Sequence, residues 1–122
     1  PTVLDANAAT EAQLSGIAGV TPEIARAIVA GQPYADATAF AAALRKTTSD
    51  TEASDLMTRI FVPVNLNTAS EEAIKLIPGM TPKMVHEFME YRPYADMAKF
   101  DREIGKYVDE AEVARLRSYT TL

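Results

Sequence analysis

The 122-residue sequence contains no cysteine and a single histidine. Without cysteine the chain forms neither disulfides nor thiolate metal sites, although this absence says little about its compartment. It also lacks an apolar run long enough to cross a bilayer, and no signal-peptide pattern follows Pro1. Because the sequence starts with proline and not with methionine, a leader or an anchor that preceded Pro1 is compatible with it.

A basic excess is missing as well, since the formal net charge is −5. Residues 1–62 contain four Lys/Arg and seven Asp/Glu, and residues 63–122 contain eight and ten. Duplex-binding domains usually carry a basic footprint that displaces counterions. We therefore expect no tight, non-specific binding of nucleic acid, although the second half has the cations for a local patch. The composition, 48% apolar and 24% charged, is typical of an ordered globular chain.

The sequence is a duplication with a period of sixty residues. Pro-Tyr-Ala-Asp occurs at residues 33–36 and again at 93–96, and Gly-x-Thr-Pro occurs at 19–22 and again at 79–82. The two halves align from end to end without a gap. We therefore predict two domains, residues 1–62 and residues 63–122.

Each copy has the signals of four short helices, so the predicted fold class is all-α. Every predicted start has a side chain that can accept a hydrogen bond from the first turn of the helix. These starts are Thr10, Thr21, Asp36 and Ser49 in the first copy, and Ser70, Thr81, Asp96 and Asp109 in the second. The second helix of each copy should end before Pro33 or Pro93. The apolar joint between the copies, residues 60–64, is expected to be extended and buried.

A tight glycine turn should join the first two helices of each copy. Its residues are Gly19, Val20 and Thr21 in the first copy, and Gly79, Met80 and Thr81 in the second. Glycine permits a positive φ in such a turn, threonine can cap the next helix, and proline suits the first helical position. The repeated unit is therefore helix, glycine turn, helix.

Three segments of the second copy resemble a known family. They are Asn-Thr-Ala-Ser-Glu-Glu at 67–72, Ile-Pro-Gly-Met-Thr-Pro-Lys at 77–83 and Tyr-Arg-Pro-Tyr at 91–94. They are similar to the helix-hairpin-helix proteins of the competence DNA-uptake receptor type, whose SAM-like fold is shared by the small extrinsic subunit of photosystem II. With both copies counted, the resemblance covers nearly the whole chain. It implies two tandem helix-hairpin-helix units, and either DNA binding or protein binding.

The DNA-binding members imply a phosphate contact at the turn. Their hairpin typically has a glycine, an apolar residue and a second glycine, followed by a helix with a lysine near its start. Backbone amides at a helix N-terminus suit a phosphate and read no base sequence. Here the second glycine is replaced by Thr21 and Thr81, and Glu23 would repel a phosphate in the first copy. Lys83 follows the second turn, and Lys75 lies one helix back.

Other residues offer little chemistry. His86 lies near Met84 and Met89, where a haem or metal site can be imagined, but the chain has no second imidazole. We expect no metal and no cofactor. Tyr34 and Tyr94 could stack on bases, but at proline-bounded turns we predict that they pack in the core. No nucleophile or acid pair fits a catalytic motif, so we expect neither an enzyme nor a small-molecule substrate.

These observations lead to one functional expectation and one alternative. We expect a non-catalytic protein-interaction or structural subunit of a larger assembly, which the resemblance places in the periplasm or otherwise outside the cytoplasm. The alternative is weak, sequence-independent DNA binding through the second turn, by Gly79, Thr81, Lys83 and Lys75. The sequence identifies neither the protein partner nor the oligomeric state.

Overall fold

The computed structural model describes residues 3–122, so Pro1 and Thr2, and with them the start of the chain, lie outside the described residues. Those residues form eight helices and four strands of two residues each. The helices are α1 Glu11–Ser15, α2 Pro22–Ala30, α3 Ala37–Leu44, α4 Asp50–Leu56, α5 Glu71–Lys75, α6 Pro82–Glu90, α7 Met97–Ile104 and α8 Glu110–Arg117. The strands are β1 Leu4–Asp5, β2 Ile60–Phe61, β3 Val64–Asn65 and β4 Thr120–Thr121. The predicted helical class is confirmed in its coarse form, since the structure is mostly α with a few short strands.

The chain divides into unit 1, Pro1–Val62, and unit 2, Pro63–Leu122. Each unit contains four helices and one pair of strands. The assignment of these units to the helix-hairpin-helix family stays a prediction.

Local side-chain caps explain where the helices begin. Before each one, a side-chain oxygen accepts a hydrogen bond from the amide three residues further on. The caps are Thr10, Thr21, Asp36, Ser49, Ser70, Thr81, Asp96 and Asp109, all of them predicted starts. Each such cap typically stabilises its helix by about 1 kcal/mol. Pro22 and Pro82 occupy the first helical positions of α2 and α6, where no amide is needed.

A parallel pair of strands joins the two ends of each unit. In unit 1, Leu4 pairs with Ile60, and in unit 2, Val64 pairs with Thr120. The apolar joint supplies one strand to each pair, and its residues Ile60, Phe61, Val62 and Val64 are buried. The predicted burial of the joint is therefore confirmed, and pairing within each unit satisfies backbone groups that burial would otherwise leave without partners.

An asparagine clasp fixes the chain after the second helix of each unit. The side chain of Asn7 accepts from the Tyr34 amide at 2.6 Å and donates to the Tyr34 carbonyl at 3.0 Å. Asn67 makes the same two bonds with Tyr94, at 2.6 and 2.9 Å. Since one side chain satisfies both backbone groups of a residue 27 positions away, the clasp accounts for asparagine at both positions of the repeat.

Both repeated tyrosines pack in the core, as predicted. Tyr34 is 7% exposed and Tyr94 is 2% exposed. Their hydroxyls donate to the carbonyls of Ile28 and Phe88, at 2.7 and 2.9 Å. Burial raises the pKa of Tyr34, and it raises the pKa of Tyr94 to about 12. The alternative role as base-stacking platforms is wrong, because both ring faces are covered.

Candidate functional site

The two glycine turns have closely similar backbone geometry. Gly19 and Gly79 have φ values of 91° and 78°, in the region that disfavours side chains. Each turn is closed by the next residue, whose amide donates to a carbonyl three residues back: Val20 to Ile17 and Met80 to Ile77, both at 3.1 Å. The predicted positive φ is confirmed in both copies.

The threonine of each turn uses one of the amide donors that an anion at the start of the next helix would need. Thr21 Oγ1 accepts from the Ile24 amide and Thr81 Oγ1 from the Met84 amide, each at 3.2 Å. Two amides of the second turn, those of Gly79 and Thr81, have no hydrogen-bond partner among residues 3–122. The second turn therefore leaves two amides available to an anion, whereas the Met84 amide is already bonded to the Thr81 side chain.

An arginine contacts the turn in each unit. Arg59 Nη1 donates to the Ala18 carbonyl at 2.7 Å, and its Nη2 lies 2.7 Å from Asp55 Oδ2. The sequence analysis missed this arrangement in both units. Its only sequence signal in unit 1 is an acid four residues before the arginine, a spacing that is also common on exposed helices.

Unit 2 reaches the same arrangement from a different position of the repeat. Arg115 Nη1 donates to the Pro78 carbonyl at 2.7 Å, and Arg115 pairs with both carboxylate oxygens of Glu112, at 2.6 and 2.9 Å. Hydrogen bonding from Arg115 lowers the pKa of Glu112, and the same pair raises the pKa of Arg115. A Cβ on Gly79 would lie 2.7 Å from Arg115 Nη2, so this turn favours glycine for its φ, and any larger residue would displace the end of the arginine side chain. The guanidinium at the turn is thus already neutralised.

Neither candidate lysine bonds to the turn. The Lys75 ammonium lies 3.4 Å from Glu71 Oε2, and the Lys83 ammonium lies 5.2 Å from the ring centroid of Tyr107. Of the four residues predicted for DNA contact, the structure brings Gly79 and Thr81 together in one turn. Both lysines contact other residues instead, Lys75 with Glu71 and Lys83 with Tyr107.

The Lys83 contact belongs to a tyrosine pair that is particular to unit 2. The hydroxyls of Tyr91 and Tyr107 lie 2.9 Å apart, and Lys106 lies 5.5 Å from the ring centroid of Tyr91. Hydrogen bonding to Tyr91 is the main cause that raises the pKa of Tyr107, and the nearby Glu87 raises it further. The corresponding positions of unit 1, sixty residues earlier, are glycine at 31 and threonine at 47. The two units thus share their scaffold and differ on this surface.

A cavity of about 680 Å³ lies between α7 and α8. Its apolar lining includes Ala98, Val108 and Val113, and its polar lining includes Asp101 and Arg117, which form an ion pair at 2.7 Å. The other carboxylate oxygen of Asp101 is buried without a hydrogen-bond partner among the described residues. Unit 2 therefore has a concave surface that mixes apolar and charged groups.

Comparison with known proteins found no matching family model, no matching curated protein and no matching solved structure. Within residues 3–122, none of the helices is long and apolar enough to cross a bilayer. The geometry of this chain is therefore the basis for the proposals below.

Proposed function

We propose that this chain consists of two tandem helix-hairpin-helix units and acts as a non-catalytic protein-interaction or structural subunit of a larger assembly. The proposal rests on the hydrogen bonds that each glycine turn makes within its own unit. In each unit a threonine hydroxyl takes an amide of the following helix, and an acid-paired arginine donates to the turn carbonyl. A turn whose cap and carbonyl are bonded within the chain in this way serves to hold two helices together.

The charge distribution supports the same proposal. The chain is acidic overall, and Glu23 lies in the first turn of α2, at the position where a phosphate would approach the first glycine turn. The lysine at the same position of α6, Lys83, lies against a tyrosine ring. Because acids outnumber Lys and Arg in both halves of the sequence, long-range attraction of a polyanion is weak.

The location of this assembly outside the cytoplasm, in the periplasm or an equivalent compartment, rests on the resemblance alone.

Affinity capture from native extract, with and without nuclease, tests the proposal. The full chain serves as bait, and the captured proteins are identified by mass spectrometry. We expect the same stoichiometric protein partner in both samples, and its capture should persist at moderate salt. Partners that disappear after nuclease treatment would show that nucleic acid had bridged them, which would contradict a protein-binding role.

One observation favours the alternative of sequence-independent DNA binding through the second turn. The Gly79 and Thr81 amides have no partner within the described part of the chain. A DNA backbone phosphate could accept hydrogen bonds from these amides. Lys83 and Lys75 could also contact it, if Lys83 left the Tyr107 ring and Lys75 left Glu71.

A duplex titration at low salt separates the two functions. Lys83→Glu reverses a charge at the second turn, whereas Lys46→Glu makes the same change in unit 1 and serves as the matched control. The proposed function predicts no affinity better than roughly 0.1 mM, the weak end of non-specific DNA binding. Micromolar affinity that falls steeply with salt, is abolished by Lys83→Glu and survives Lys46→Glu would establish the DNA alternative instead.

A further inference from the structure

We propose that the C-terminal end of α6 binds a divalent first-row transition cation such as Zn²⁺, through His86, Glu87 and Glu90. One donor atom from each of these side chains lies within 4.8 Å of the other two. Neither the proposed protein-binding function nor the DNA alternative uses this group of residues.

The buried carboxylate of Glu87 is the observation that points to a ligand. Glu87 is only 8% exposed, and its Oε2 has no hydrogen-bond partner among residues 3–122. It also makes no ion pair there, because the ammonium of Lys83, one turn earlier, lies over the Tyr107 ring. A buried carboxylate oxygen without a partner is costly, and a bound cation supplies both the missing contact and the missing charge.

The position on the helix adds a second argument. The last turn of α6 carries Glu87 and Glu90 and contains no lysine or arginine. Carbonyl groups give this end of a helix a partial negative charge, which disfavours carboxylates and favours cations. Two acids at a negative helix end are therefore poorly placed by themselves and well placed around a metal ion.

Unit 1 supplies an internal comparison. Sixty residues earlier, the positions of His86, Glu87 and Glu90 are occupied by arginine at 26 and by alanine at 27 and 30. The same scaffold therefore forms with alanine at the position of the buried glutamate. Glu87 is therefore not required by the fold, and its burial in unit 2 needs another explanation, which a bound cation supplies.

The donor geometry suits a tetrahedral ion. His86 Nε2 and Glu90 Oε2 lie 3.3 Å apart. Zinc–nitrogen and zinc–oxygen distances near 2.0–2.1 Å correspond to a ligand–ligand edge of about 3.3 Å in a tetrahedron. One imidazole and two carboxylates are a donor set that Zn²⁺ accepts, with water as the fourth ligand.

Calorimetric titration of the full chain with ZnCl₂ tests the proposal. We expect one Zn²⁺ per chain, with affinity that falls at least about tenfold in Glu87→Gln and in His86→Gln, since each removes a ligand or its charge. Glu110→Gln, which removes an acid from the start of α8, is the matched control and should leave the affinity unchanged. Absence of saturable binding, or equal affinity in wild type and Glu87→Gln, would overturn the proposal.

Proton NMR gives an independent measurement on the same samples. Because His86 is the only histidine, its imidazole resonances are identified without assignment of the whole spectrum. They should change in proportion to added Zn²⁺ and reach a limit at one equivalent. In Glu87→Gln that limit should require an excess of Zn²⁺, while the unchanged amide spectrum shows that the variant is folded. Imidazole resonances that stay unchanged at saturating Zn²⁺ would exclude His86 as a ligand and contradict the proposed site.

Discussion

Alanine substitution of the two turn glycines should separate the cost of backbone strain from the cost of losing the arginine contact. Gly19 and Gly79 have similar positive φ values, 91° and 78°, so alanine is strained to a similar degree at both positions. They differ in what a Cβ would meet. At Gly19 the nearest atom is Leu56 Cδ2, at an ordinary 3.5 Å, whereas at Gly79 it is Arg115 Nη2, at 2.7 Å.

The magnitudes follow from these two distances. An alanine at positive φ costs about 1 kcal/mol, which is the expected loss of unfolding free energy in Gly19→Ala. In Gly79→Ala the guanidinium must also shift, and we expect the shift to break the 2.7 Å hydrogen bond from its Nη1 to the Pro78 carbonyl. That bond is to a charged group that is about one-third exposed, so its loss adds about 1 kcal/mol after allowance for solvent screening. We therefore expect about 2 kcal/mol for Gly79→Ala.

A double-mutant cycle isolates the second contribution. Arg115→Ala removes the side chain that the new Cβ would displace, so Gly79→Ala should cost only about 1 kcal/mol in that background. The stability of each unit is followed separately in urea, by the NMR amide signals of Phe40 in unit 1 and Phe100 in unit 2. If Gly79→Ala costs the same with and without Arg115, the proposed contact does not hold the turn.

Two further predictions concern the clasp and the buried tyrosine. Asn67→Ala should lower the unfolding free energy of unit 2 by about 2–3 kcal/mol, because two hydrogen bonds are lost and both backbone groups of Tyr94 are left without partners. Urea unfolding followed by NMR measures this loss. An effect below about 0.5 kcal/mol would contradict the prediction. The stability of unit 2 should stay constant up to about pH 10 and fall towards pH 12, because folding raises the pKa of Tyr94 from 10.0 to about 12 and so favours the protonated hydroxyl. Tyr94→Phe should make this fall smaller, and an identical pH profile in the variant would refute the assignment.

The helix boundaries could be predicted from the sequence because their causes are local. A cap such as Thr81 and the proline that follows it bond or constrain residues within one turn of the chain. The duplication strengthened each such prediction, since the same signal appeared twice at one spacing. The burial of Tyr34 and Tyr94 followed from similarly local evidence, a proline-bounded turn repeated in register.

The structural features that were not predicted from the sequence depend on residues that are distant in the chain. A strand of two residues is too short to show an alternating pattern, so neither pair of strands was predicted. Arg115 reaches a carbonyl 37 residues earlier in the chain, and no spacing rule connects those positions. Glu87 is a charged helix residue that sequence reasoning places at the surface, yet its neighbours bury it. The sequence analysis considered His86 only with nearby methionines, so the carboxylates beside it were overlooked.

The strand pairs have a consequence for how this architecture can be copied. Leu4 meets Ile60, and Val64 meets Thr120, so each sixty-residue stretch is closed into a loop by its own two ends. Among the described residues, the backbone hydrogen bonds that close each loop join residues of the same unit. A single in-frame doubling of the gene segment could therefore yield a second self-sufficient copy at once.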